Sequence, residues 1–420
     1  MLCTEKKHSA IIQMEKIVFL GYVVPPEAVS EYKGVSVAGN KMQWSLLQHL
    51  KKCNDVDITC VTVTPHAAIP HERVVFQKRE RLDLNAGIPC VCAEYLNFPI
   101  IKQIWQILSV YKAAKRELYK KPDAVILTFN LFPQIGIPMR LLKRRFPEST
   151  TCCLLADLPI DDKTDRGGLS KLLRHVFDWS TIKSMKACEN YIVLNSYVAE
   201  KYLPAKPYIV VDGGIEEDEI QIQKANKSAH KNVLFSGALT EYNGIARLLE
   251  AMKLVQHEDV VLDIYGDGYL EKKVEQAAKT MKNVCYHGKV ENTVILEKQR
   301  EAWLLINPRV INDPISRVTF PSKTFEYLLS GTPVLSTRLN GYGNEYEGKL
   351  FFSDSDSPEA LAKAIDEIAE LDPLQLELIA KDAREFVIRE KTWKSQTKKV
   401  MDFFETIKMQ KNDKNKEFYN

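Results

Sequence analysis

No stretch of this sequence approaches the about 20 consecutive apolar residues that a membrane-spanning helix needs. The opening, MLCTEKKHSAIIQMEK, has neither the long apolar core nor the small-residue cleavage site of a secretory leader, so a cytoplasmic location is expected. There are nine cysteines, but no Cys-x-x-Cys and no Cys/His cluster with zinc spacing. That distribution suits reduced thiols and predicts neither a disulfide framework nor a metal site. The net charge of +3 is too small to bind nucleic acid by itself. The first apolar run ends in Gly21-Tyr-Val-Val-Pro-Pro26 rather than Gly-x-Gly-x-x-Gly, which argues against a dinucleotide oxidoreductase.

What the chain does have is length, ordinary globular composition and an uneven charge. Its 420 residues suggest two domains, each large enough to bury its own core. Residues 1–200 hold 27 Lys/Arg against 20 Asp/Glu, and residues 201–420 hold 31 against 35, so the halves are expected to meet different partners. The basic excess comes from residues 101–150, with ten basic and three acidic side chains.

Apolar runs alternate with helical periodicity in both halves. Lys16–Val23, Asp57–Val63, Ala124–Thr128, Thr151–Leu155 and Tyr191–Leu194 read as buried strands with helices between them. The pattern restarts after Gly213-Gly214. Strands are expected at 232–237, 260–266, 284–287, 303–307 and 334–336, and helices at Ile245–Val255, Tyr269–Thr280, Lys323–Leu329, Pro358–Leu371 and Leu374–Arg389. A last Lys-rich helix is expected to about Ile407, followed by a frayed polar tail. The expected architecture is α/β, with two facing Rossmann-like, doubly wound domains. The boundaries read as 1–208, 209–390 and a returning C-terminal helix and tail over 391–420. A ligand would sit at the carboxyl ends of the strands, in a cleft between the two sheets.

Four segments carry chemical content. Ser36 to Lys41 (SVAGNK) reads as a turn before a helix, where Gly39 would admit a phosphate and Asn40 lies beside it; Gly as simple turn punctuation is the alternative. Tyr265-Gly266-Asp267-Gly268 ends a strand and is either a close-approach loop for a ligand or a tight turn. In Phe320 to Leu335 (FPSKTFEYLLSGTPVL), Ser322 is placed to cap a helix. Lys323 in the first turn opposes the helix dipole, a position that an anionic ligand explains. Thr324 adjoins it. Glu326, one turn on, offers a carboxylate to paired ribose hydroxyls. Asp157, after a first-half strand, could orient or deprotonate a hydroxyl or could cap a turn. Asp161, Asp162 and Asp165 make its loop acidic.

At this point the sequence resembles the group-1, family-4-like retaining glycosyltransferases of the GT-B architecture. The likeness is strongest from Lys231 to Leu339 and lies nearest to the capsule and exopolysaccharide kind. Gly237, Gly266-Asp-Gly268, His287-Gly288, Asn307-Pro308 and the Phe320–Val334 block fall in that family's order and spacing. The resemblance implies a nucleotide-diphosphate sugar as donor, UDP-linked by default, with no resident cofactor or metal. It implies a saccharide or lipid-linked saccharide as acceptor. It also implies roles for Glu326 at the ribose and for Gly39 and Gly237 near the donor phosphates. Ala238 and Asn243 stand where the family carries diphosphate-binding Arg and Lys, and Val318 stands where it carries a second glutamate. Arg309, Arg317 and Lys323 are the candidate replacement cations. The same departures leave open a non-catalytic nucleotide-sugar-binding subunit.

Phe98–Lys121 gathers Ile100, Ile101, Ile104, Trp105, Leu108 and Tyr111 on one helical face, with lysines and Arg116 beside them. That face is expected either to bury itself on the first sheet or, with its basic edge outward, to meet an anionic membrane on its inner side.

Overall fold

The computed structural model describes residues 15–32, 34–53, 56–84, 87–159, 169–220, 227 and 230–419. The chain divides into two compact units. One comprises Met1–Val193, Leu203–Ile209 and Lys399–Asn420; the other comprises Leu194–Tyr202 and Val210–Lys398.

The first unit contains β1 (Glu15–Gly21), α1 (Val37–Lys52), β2 (Val56–Thr62), β3 (Phe76–Gln77), β4 (Arg81–Asp83), β5 (Pro89–Cys92) and β6 (Tyr95–Leu96). It continues through α2 (Ile101–Lys120), β7 (Val125–Phe129), α3 (Pro133–Arg145), β8 (Thr150–Leu155), α4 (Leu169–Ala187) and β9 (Asn190–Val193). After α5 (Ser196–Tyr202), β10 (Tyr208–Val210) completes an eight-stranded sheet of order β10-β9-β8-β7-β1-β2-β5-β4. β1, β2, β5, β7, β8 and β9 are parallel, and β4 is an antiparallel edge. The central strands are apolar on both faces because helices cover both sides, so Ile17, Val18, Phe19 and Leu20 are all fully buried.

The second unit is built the same way from β11 (Lys231–Ser236), α6 (Ile245–Ala251), β12 (Val260–Tyr265), α7 (Glu271–Thr280), β13 (Val284–Gly288), α8 (Asn292–Glu301) and β14 (Leu304–Asn307). Then follow α9 (Pro314–Val318), α10 (Lys323–Leu329), β15 (Val334–Thr337), β16 (Phe351–Ser353), α11 (Pro358–Ala369), α12 (Pro373–Glu390) and the start of α13 (Trp393–Tyr419), which belongs to the first unit from Lys399 onward. Its six strands are parallel in the order β13-β12-β11-β14-β15-β16. One core of Val233, Phe235, Leu262, Ile264, Leu304 and Leu335 runs beneath the helices. Two Rossmann-like α/β units are therefore present, as the alternation of strand and helix predicts.

The differences lie at edges and ends. β3 to β6 were not expected, because pieces of two to four residues carry no readable period. α8, α9 and β16 were also missed. α6 stops at Ala251 rather than Val255, and the polar C-terminal tail is helical to Tyr419 rather than frayed. Within the first unit the Lys411 ammonium reaches Ser149 O (3.2 Å) and Thr150 Oγ1 (3.3 Å), contacts that help to hold the end of α13. No described helix is long and apolar enough to cross a membrane.

Candidate functional site

In the second unit, three elements bring polar side chains around the end of β11. Ser236, 3% exposed, is the hub. Its backbone N–H donates to the Tyr327 hydroxyl (3.1 Å), which in turn donates to Ser236 O (3.2 Å). Gln299 Nε2 from α8 and Lys323 Nζ from α10 donate to Ser236 Oγ at 3.3 and 3.4 Å. Gln299 Nε2 also donates to the Glu326 carboxylate. Because α10 presents residues 323, 326 and 327 on one face, the candidate phosphate and ribose groups share a single polar cluster. Burial without a charged partner pushes the Tyr327 hydroxyl up to about 12, so it stays a neutral donor.

Lys323 is exposed as a residue, but its ammonium reaches the buried Ser236 Oγ and its Cε lies near Gly237. Desolvation lowers its pKa; the Glu326 carboxylate opposes that shift and the Arg309 charge adds to it. Arg309, beyond β14, lies over the Tyr242 ring at 5.6 Å, and desolvation likewise lowers its pKa. Neither cation forms an ion pair among the described residues. They are like charges that feel one another and are partly desolvated, a repulsion that a bound anion would offset. Arg317 instead donates to Asn312 Oδ1 at 2.8 Å.

Several expected donor contacts are occupied elsewhere. Ser322 does not cap α10: it is itself helical (φ −52°, ψ −27°), so its hydroxyl cannot accept from the first turn. With only seven residues in α10, the dipole is weak and the side-chain cations carry the electrostatics. Thr324 is buried and its hydroxyl bonds Tyr342 Oη at 2.9 Å; the same Tyr342 hydroxyl also meets Asn307 and Ser336. Gly266 and Gly268 serve backbone packing. A Cβ on Gly266 would sit 1.9 Å from Gly237 O, and one on Gly268 would sit 2.5 Å from Leu239 O. The loops after β11 and β12 are thereby zipped together, with Gly237 N bonded to Tyr265 O (2.9 Å) and Leu239 N to Asp267 O (2.8 Å). Tyr265 is 7% exposed and stacks on His287, with ring centroids 4.5 Å apart. His287 Nε2 is 2.7 Å from Asp263 Oδ1. Asn243 turns back on Ala238 O (2.8 Å) and Val318 is buried, so neither supplies charge.

In the first unit, Ser36 accepts from Gly39 N at 3.2 Å and caps α1. Gly39 and Asn40 are thus inside the first turn of the helix, not in a loop before it. Asn40 is 3% exposed and clamps Val24 by both backbone groups (Oδ1 to N 2.9 Å, Nδ2 to O 3.0 Å). Its amide is thereby committed to the loop after β1.

Asp157 lies at the carboxyl end of β8. Asn130 Nδ2 donates to its carboxylate (2.8 Å), while Asn130 Oδ1 accepts from the backbone N–H of Ala156 and Asp157 (2.9 Å each). Asn130 adopts φ +57°, which Asn tolerates better than most residues, and so locks the loop that aims Asp157. Desolvation raises the Asp157 pKa, and the Asn130 hydrogen bond partly opposes it. A raised carboxyl held by one neutral partner suits proton transfer. Asp161, Asp162 and Asp165 lie outside the described residues. Among the described residues no group of three or more His, Cys, Asp or Glu is placed to hold a metal.

Sequence reasoning missed Gln299, Tyr327, Tyr342 and Asn130. Only Asn130 gave a signal, as an Asn directly after a strand and two residues before the Phe132-Pro133 helix start.

Residues 230–370 match a family profile described as glycosyl transferases group 1. No curated protein matches the chain. Among solved structures it is similar to a sucrose-phosphate synthase from Thermosynechococcus elongatus, with 14% identity and TM-score 0.62, over 94% of this chain and 99% of that one. A glycosyltransferase from Rickettsia africae is similar with 13% identity and TM-score 0.63, over 93% and 98%. HepE of Anabaena, solved in complex with UDP, is similar with 13% identity and TM-score 0.60, over 93% and 100%. At such identities the likeness is one of fold, and the fold is GT-B, with two Rossmann-like α/β domains.

Proposed function

We propose that the second unit binds a nucleoside-diphosphate sugar and that the protein transfers the sugar, with retention, to a saccharide or lipid-linked saccharide in surface polysaccharide assembly. The observation that carries this reading is the pairing of Arg309 and Lys323, two cations without an ion pair among the described residues, with the Gln299-held carboxylate of Glu326. The cations match a diphosphate, and the carboxylate matches vicinal ribose hydroxyls one helical turn away. They replace the charges that Ala238 and Asn243 do not supply.

In this mechanism Glu326 orients the nucleoside, and Arg309 and Lys323 stabilise the negative charge that grows on the departing diphosphate. Asp157 takes up or positions the proton of the acceptor hydroxyl. The chemistry needs neither a resident cofactor nor a metal. UDP is the proposed carrier, supported by the UDP complex of a structural relative. A hexosyl group is the proposed cargo.

Calorimetric titration with UDP, UDP-glucose, GDP and ADP tests the reading. Binding of one nucleoside diphosphate, weakened by Lys323→Ala and by Arg309→Ala, supports it. No binding by any of them, or binding untouched by both substitutions, overturns it. A second reading, a donor-binding subunit without activity, is favoured by the missing charge at Ala238, Asn243 and Val318. Tight UDP-sugar binding with neither slow donor hydrolysis nor transfer would select it.

A further inference from the structure

α2 and α4 are packed with their apolar sides outward. The inner face of α2 presents Gln106, Ser109, Val110, Ala113, Ala114 and Leu118, all buried, while Ile101, Ile104, Trp105 and Leu108 are 37–56% exposed. The inner face of α4 presents Ser180, Thr181, Ser184 and Met185, while Leu172, Leu173, Val176, Trp179 and Ile182 are 43–62% exposed. Mostly small and hydroxylated residues let these helices approach their neighbours closely, and most of the large apolar ones face solvent. That inverts the arrangement expected of a helix on a water-facing layer.

The two ridges lie in one layer. α3 packs between α2 and α4. β7, β8 and β9 are adjacent and parallel, so the connecting helices run back antiparallel to the strands. The N-terminal portions of α2 and α4, where the exposed apolar residues concentrate, therefore lie toward the carboxyl edge of the sheet. Asp157 stands at the same edge.

Charge decides what covers this face. α2, α3 and α4 carry thirteen Lys/Arg and two acidic residues, Glu117 and Asp178. A second copy would bring like charges together. An anionic lipid surface would accept the apolar side chains below the headgroups while the lysines reach the phosphates. Lys183 already lies over the Trp179 ring (4.7 Å), and Lys115 over those of Tyr111 and Tyr119 (5.7 and 5.6 Å), amphipathic pairs suited to an interface.

We infer that the α2–α4 face of the first unit docks on an anionic membrane surface, lying on the bilayer without crossing it. The inference is independent of the donor chemistry of the second unit, and the two fail separately: UDP titration reports one and vesicle binding the other.

The test is co-sedimentation of the full chain with phosphatidylcholine vesicles, with and without phosphatidylglycerol. The intact chain should sediment with the anionic vesicles, be released by salt, and ignore neutral ones. Ile104→Asp combined with Trp179→Asp, at exposed positions, should keep the melting temperature and UDP titration unchanged yet weaken vesicle binding about tenfold or more. Absence of binding to anionic vesicles overturns the inference, as an acidic protein partner would predict. Binding equal in the double variant also overturns it. So does a dimer, seen by light scattering, that the double variant dissolves while vesicles stay unbound.

Discussion

The Lys391 ammonium lies 2.5 Å from the Asp212 carboxylate, across 179 residues of sequence, and both side chains are 2% exposed. The second unit is tied together at this point. Lys391 also reaches Glu345 (3.2 Å) and lies over the Tyr346 and Phe386 rings, while the Tyr346 hydroxyl donates to Asp212. Ile215 N bonds Lys391 O, and Trp393 N bonds Ile215 O, at 2.9 Å each. The segment that enters the second unit is thus fastened to the junction of α12 and α13.

Removing one member of such a pair leaves a buried charge without compensation. Lys391→Met should lower the unfolding free energy by about 3–5 kcal/mol. Adding Asp212→Asn, which still accepts from Tyr346, should recover part of the loss. Urea denaturation of both variants reads the difference, and equal stability of Lys391→Met and the native chain would dismiss the role.

Glu326 and Lys323 should separate nucleoside from diphosphate recognition. Glu326→Ala is expected to weaken uridine and UDP alike, by about ten- to a hundredfold, the worth of a hydrogen bond to a charged group. Lys323→Ala should weaken UDP by a similar factor and leave uridine nearly unchanged. Calorimetry with the two ligands measures the split; parallel losses in both variants would contradict it.

In the proposed reading Gln299 positions the Glu326 carboxylate rather than touching ligand. Gln299→Met removes the donor shared by Glu326 and Ser236, and is expected to weaken uridine binding about three- to tenfold with a smaller effect on pyrophosphate. Gln299→Glu should do worse, because it sets two carboxylates against each other. Uridine affinity unchanged in both would rule the role out.

In the proposed mechanism Asp157 provides the pH dependence. Its folded pKa is raised by desolvation, so the carboxylate needed as a base forms only above the ordinary aspartate range. The acid limb of the transfer rate should therefore lie above about 4, the ordinary value, and disappear in Asp157→Asn along with most of kcat. Linkage gives a second sign. A carboxyl raised in the fold contributes stability that is fully present below its unfolded pKa and is lost as pH rises through its folded pKa. Asp157→Asn, neutral at every pH, should thus melt no lower than the native chain at neutral pH. A variant that is both inactive and clearly destabilised would mark Asp157 as a structural residue.

Much of the fold was legible because parallel strands buried on both faces are continuous apolar runs. Ile17–Leu20 and Val233–Phe235 could hardly be anything else, and Gly331 with Pro333 fixed the end of α10. Lys323 and Glu326 were legible because residues three apart on a helix share a face. The short strands β3 to β6 were not, since they exist only through partners brought up by β2 and α2. Gln299 was not, because nothing local distinguishes a buried amide from an exposed one on a polar helix. Thr324 and Asn40 looked available for ligand and proved committed to Tyr342 and Val24.

The sequence by itself determined the alternation of strand and helix, the two-unit plan and the spacing of Lys323 and Glu326, since these rest on local periodicity and on residue types whose backbone preferences are strong. Only the tertiary structure decided which side of each helix met a neighbour. Periodicity shows that α2 and α4 have an apolar side and a small, polar one. It does not show which is buried, because that depends on how closely adjacent helices approach, and here the small residues face inward.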